Sequence, residues 1–133
     1  MTTLVIQGQE LEPFPVETGV PQGSTLSPIL FLFYNAELLD ICNQPRQRLS
    51  AVGFADDTNI ITYGRSTENN CRTLEQIHSK CLDWAQHYGI SFSLAKYKLI
   101  HFTQSCTKFN LQAGLSLGAI TKLPSPDVCV LGV

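Results

Sequence analysis

Two adjacent aspartates, Asp56 and Asp57, stand at the centre of the run AVGFADDTNIITY, residues 51–63, with strand-favouring residues on both sides. Arms of that kind around a short charged centre make a hairpin the simplest local shape, carrying both carboxylates at or beside its tight turn. Such a tip is a hard oxygen site. Mg²⁺ takes oxygen ligands in octahedral geometry and keeps several waters, so one or two carboxylates plus substrate phosphates are a protein's usual contribution. The pair alone is not specific, because aspartate is common in turns, where its side chain bonds the local backbone. Its sequence context has to decide.

Along the chain, residues 2–6 and 14–18 read as strand pieces around a polar stretch, and a hairpin there would lead into a loop at residues 19–23. Ser24, Thr25 and Ser27 offer helix-capping hydroxyls, and Pro28 suits a first helical turn. A helix to about Cys42 is expected, apolar around most of its axis and so buried against a sheet. After the aspartate hairpin, a turn at residues 64–67 with a cap at Ser66 or Thr67 opens a second helix. Cys71, Leu74, Ile77, Cys81, Leu82, Ala85 and Tyr88 recur at helical spacing up to Gly89, a left-handed stop. Alternating pieces at 97–103 and 109–117 read as strands. This order implies an α+β fold, an antiparallel sheet with helices packed on one face.

The 133 residues fit one domain or part of one, with apolar content for a core. Net charge is −2 and no basic run appears, which argues against a self-sufficient nucleic-acid-binding module, since phosphate contacts supply most non-specific affinity. Cys42, Cys71, Cys81, Cys106 and Cys129 are odd in number and lack CxxC spacing, so they read as reduced intracellular thiols. Cys71, His78 and Cys81 approach one helical face, but three ligands without a fourth favour buried helix cysteines over zinc. No secretory signal opens the chain, and the most apolar stretch, residues 28–39, is too short to cross a bilayer.

Residues 19–31, GVPQGSTLSPILF, lie about thirty residues upstream of the aspartates, and residues 54–57 read FADD. Residues 84–89, then FSLAKYKLIHF at 92–102 and VLGV at 130–133 follow in order. Together these resemble the palm of a reverse transcriptase of the kind encoded by non-LTR (LINE-like) retrotransposons, fungal elements being the nearest in flavour. The matching elements are the PQG motif, the Tyr-Ala-Asp-Asp box with Phe54 in first place, the following helix with its lysine-bearing strand, and the start of the primer grip. The resemblance covers essentially the whole chain, read as one partial domain, residues 1–133, with fingers, first acidic motif and thumb absent. The endonuclease and Cys/His tail of many such elements are absent as well.

The resemblance implies an RNA-directed DNA polymerase, a nucleotidyltransferase that uses an RNA template, a DNA primer or target and deoxynucleotides. Two Mg²⁺ ions, with Mn²⁺ as the alternative, would serve the complete enzyme. Activation of a 3′-hydroxyl and stabilisation of leaving pyrophosphate need carboxylates at fixed spacing. The resemblance gives Asp56 the principal metal role and Asp57 a supporting one. It sets Pro21, Gln22 and Gly23 against the incoming nucleotide and templating base, where Gly23 allows close backbone approach and Gln22 offers donor and acceptor. Phe54 lacks the usual tyrosine hydroxyl, and its ring should pack near the primer end. Lys96 falls where the family's triphosphate lysine stands; Lys98, two residues on along the expected strand, makes that assignment depend on the string AKYKLIHF. His101 reads as a strand-face histidine and Trp84 as core.

The family's first acidic ligand lies upstream of the PQG motif. Glu10, Glu12 and Glu17 do not sit in a sequence resembling it, so the chain alone is expected to be inactive. A non-catalytic relic of a degenerate element is the competing reading, and an organellar intron-encoded reverse transcriptase the rival within the enzyme class. The corresponding locations are the nucleus and, alternatively, the mitochondrion, with no membrane partner.

Overall fold

The computed structural model describes residues 23–105 and 107–128, together with the backbone of Val5–Ile6 and Gln9–Glu10. The chain divides into two compact units, residues 1–33 and 34–133. In the first, β1 (Val5–Ile6) pairs antiparallel with β2 (Gln9–Glu10). A hairpin was expected here, but its second arm is Gln9–Glu10; the expected arm at 14–18 lies outside the described residues, as do VLGV at 130–133, Cys106 and Cys129.

Helix α1, Ser27–Cys42, begins where the capping residues place it. The Ser24 hydroxyl accepts from the Leu26 amide at 3.3 Å and the Ser24 carbonyl from the Ser27 amide at 3.2 Å, satisfying amides that precede the first helical turn. The all-round apolar character did not translate into all-round burial. Asn35, Leu38 and Cys42 are its buried residues, whereas Leu26, Ile29, Leu30, Leu32 and Phe33 are exposed by half or more. The three buried residues all belong to the second unit, and Leu38 and Cys42 are part of its core.

In the second unit, a 3-10 turn at Pro45–Gln47 leads into β3 (Leu49–Phe54), which pairs antiparallel with β4 (Asp57–Thr62). Burial alternates along β3, as a strand's period of two requires. Leu49, Ala51 and Gly53 face inward, and Ser50, Val52 and Phe54 are exposed on the other face. Gly53 allows close approach: a Cβ there would stand 3.0 Å from both methyl carbons of Leu39 on α1, which would have to give way.

Helix α2, Thr67–Tyr88, is bounded by both expected signals. The Ser66 hydroxyl accepts from the Asn69 amide at its start, and Gly89 at φ 68° ends it, its amide donating to the Ala85 carbonyl. Leu38, Cys42, Leu49, Ile77, Cys81, Trp84 and Ala85 form the main core, so α1, the hairpin and α2 converge on one cluster. Tyr34 lies 5.5 Å from Trp84 and 5.3 Å from Tyr88, ring centre to ring centre, and Tyr88 donates its hydroxyl hydrogen to Glu37. Trp84 is thus a core residue, as its helical position suggested.

Cys42, Cys71 and Cys81 are free, buried thiols. Cys42 and Cys81 meet at 3.3 Å between sulfurs. That hydrogen bond, followed by burial, pushes the Cys42 thiol up; the same bond lowers Cys81 while burial opposes it. Among the described residues no group of three or more His, Cys, Asp or Glu could hold a metal.

Beyond α2 the expected strand at 97–103 is not formed. Leu94–Lys96 is a 3-10 turn, and Leu99 makes only an isolated parallel bridge to Pro124. Proline cannot donate to a ladder, so pairing goes no further than that bridge and a bond from the Ser125 amide to the Leu99 carbonyl at 2.7 Å. Of the piece at 109–117, only β5 (Leu115–Leu117) is strand, paired with β6 (Ile120–Lys122). Cys71, Leu99 and Ala113 make a second small core, and His101 bonds the Ala113 carbonyl at 2.8 Å, a structural position. The fold is α+β, as expected, but its β structure among the described residues is three separate two-stranded ladders rather than one sheet.

Candidate active site

Register fixes where the carboxylates stand. Phe54 pairs with Asp57, leaving Ala55 and Asp56 as a two-residue loop. Two-residue hairpins favour turns with positive φ at the first central position, because only these match the strand twist. Ala55 takes φ 51°, a left-handed conformation that disfavours a Cβ, while Asp56 does not. The turn therefore holds a strained alanine immediately before the two acids.

Asp56 and Asp57 are both exposed. Neither carboxylate makes a hydrogen bond or ion pair with another described residue. Next to them Phe54 is 62% exposed; the expected packing of its ring is not made within the described residues. The tip is thus two acids and one aromatic ring presented to solvent, at the end of a hairpin whose other end is anchored by buried Leu49.

The remaining site residues lie on other elements. Pro21 and Gln22 fall outside the described residues. Gly23 is exposed at φ 89°, and a Cβ on it would meet nothing within 4 Å, so conformation rather than space calls for glycine there. Lys96 is exposed and closes the 3-10 turn Leu94–Lys96. Lys98 follows that turn outside any strand, so the strand on which the choice between the two lysines was set is not formed.

Sequence reasoning missed a second polar feature, where Arg48 and Arg65 line one cavity at the hairpin's base. Isolated arginines on either side of a hairpin carry no signal until the strand register is known.

The family model for reverse transcriptase (RNA-dependent DNA polymerase) matches residues 1–133, and the chain belongs to that family. It is also 23% identical over 116 residues to the RNA-directed DNA polymerase from mobile element jockey of Drosophila melanogaster, across 83% of this chain and 13% of that protein. The chain thus spans a small part of that relative's length. No solved structure matches it significantly. Among the described residues no helix is long and apolar enough to cross a membrane.

Proposed function

We propose that this chain is the part of a non-LTR retrotransposon's RNA-directed DNA polymerase that carries the catalytic aspartate hairpin, the palm from the PQG motif to the start of the primer grip. The observation that carries the reading is the hairpin tip, with two exposed carboxylates unpaired among the described residues, in a chain that matches the reverse transcriptase family along its whole length. The fungal flavour of its motifs and a nuclear place of work belong to the same reading.

The donor set suits a hard divalent cation, Mg²⁺ before Mn²⁺, since both candidate ligands are carboxylates without competing bonds among the described residues. Asp56 would be the principal ligand and Asp57 the supporting one. Bound there, divalent metals would ease loss of the primer hydroxyl's proton and steady the leaving pyrophosphate. The chain's own residues do the positioning. Ala55 sets the left-handed turn before the acids, Phe54 would offer an apolar surface to the primer end, and the resemblance assigns Pro21, Gln22 and Gly23 to the incoming nucleotide and the RNA template. Lys96 supplies a positive charge for the triphosphate.

Two carboxylates are fewer than a two-metal site uses, so the chain by itself is expected not to extend a primer. The test belongs in a complete parent enzyme. Asp56→Asn should abolish Mg²⁺-dependent extension of a DNA primer on an RNA template while leaving the circular dichroism spectrum unchanged. Extension at the wild-type rate by that folded variant would remove Asp56 from the site.

A further inference from the structure

Although the sequence holds no basic run, the hairpin register assembles a basic site in space. Arg48 immediately precedes β3 and Arg65 follows β4. The pairing of Leu49 with Thr62, extended by a bond from the Tyr63 amide to the Arg48 carbonyl at 3.3 Å, brings the two strand ends together. Both arginines line an open cavity of about 530 Å³, with Gln47, Tyr63, Asn69 and Asn70 among its other walls. Neither guanidinium has an ion pair or hydrogen bond with a described residue. Arg48 also takes φ 59°, a conformation that favours glycine or asparagine, so the backbone gives no reason for an arginine there.

We propose that this cavity binds a segment of single-stranded nucleic acid, with phosphates on Arg48 and Arg65 and a base against the ring of Tyr63. Three features select that ligand. Guanidinium groups match phosphate oxygens in a two-pronged geometry, and two of them in one cavity, unpaired among the described residues, suit a phosphate-bearing strand. Tyr63 is 62% exposed, leaving a ring face available for base stacking. The Gln47, Asn69 and Asn70 carboxamides each offer donors and an acceptor to a base edge or sugar.

The polar walls disfavour an apolar small molecule. The start of α2 does not account for the site, since the Ser66 hydroxyl already accepts from the Asn69 amide and donates to Glu68. Glu68 is the nearby acid on α2, and it is held by the Ser66 and Thr67 hydroxyls. Six-residue strands at ~3.3 Å per residue separate the cavity from Asp56 and Asp57 by about 20 Å. This is therefore a second contact region, independent of the metal-binding reading of the tip.

The experiment uses the 133-residue chain and fluorescence anisotropy of a labelled single-stranded oligoribonucleotide and its DNA counterpart across a salt series. Wild type should bind. Arg48→Gly and Arg65→Gln should each weaken binding about tenfold. Each should also reduce the slope of log affinity against log salt by about 0.7, the single-strand value per phosphate contact. Arg48→Gly suits the positive φ, so it should melt at or above the wild-type temperature, separating lost binding from lost folding. Tyr63→Ala should weaken binding with the salt slope unchanged. Absence of wild-type binding, unchanged affinity in both arginine variants, or equal competition by a polyglutamate peptide would overturn the proposal.

Discussion

The position of the two aspartates depends on how the hairpin is held at its far end, and Leu49→Ala tests that. Leu49 is 1% exposed in the cluster shared by α1, α2 and the hairpin. Truncation removes three carbons, worth about 2.4 kcal/mol at ~0.8 kcal/mol for each buried methylene-sized group. The partly collapsed cavity adds to this, bringing the expected loss to about 3 kcal/mol. Val52, on the same strand but the opposite face, is 54% exposed. Val52→Ala removes two carbons that are half hydrated already, so its cost should stay below about 1 kcal/mol. Urea unfolding is the assay, followed by Trp84 fluorescence, because this single tryptophan lies in the same core. Should Leu49→Ala fail to fold, Leu49→Met should still fold and cost less than about 1.5 kcal/mol. Equal losses for Leu49→Ala and Val52→Ala would refute the two-faced hairpin.

Three further outcomes can be checked directly. Glu68 is held down to about 2, first by the Ser66 hydroxyl, then by a backbone bond and by Asn110. Its stabilisation is therefore present above the ordinary carboxylate range and lost as pH falls toward 2; an NMR titration midpoint near ordinary glutamate would contradict that assignment. His78 is pushed below its ordinary value by burial, its Nε2 has no partner among the described residues and its ring meets Tyr97 edge-on. The unfolded chain binds the proton better, so stability should be complete above about pH 6.5 and decline below it, and His78→Phe should flatten that decline in thermal melts. Ala55→Gly should relieve about 1 kcal/mol of left-handed strain, offset in part by chain entropy, and leave the melting temperature unchanged or raised; a clear drop would show the positive φ to be unstrained.

Local signals in the sequence found the hairpin, both caps of α2, the start of α1 and the core role of Trp84. These are written in short strings: alternation around a turn, Ser66 before a helical period, Gly89 after it. What was not legible depends on partners far away in sequence. The exposed early turns of α1 read the same as buried ones, since apolar composition does not say what covers it. The pieces at 97–103 and 109–117 alternate well enough for strands, yet forming one needs a neighbour with free amides, and Leu99 finds Pro124 instead. The aspartate tip was visible because adjacent residues make it. The arginine cavity was not, because a six-pair register brings its parts together.

Alanine at position 55 also shapes the tip before any cation is present. Glycine would accept the same φ but many others too, whereas alanine has one narrow left-handed well. A closed tip therefore has few alternative shapes in which its neighbouring negative charges can drift apart. Their mutual repulsion is met when the chain folds, by the pairing of β3 and β4 and the buried anchor at Leu49. The alanine itself favours leaving that conformation, and the folded hairpin supplies the force that holds it there.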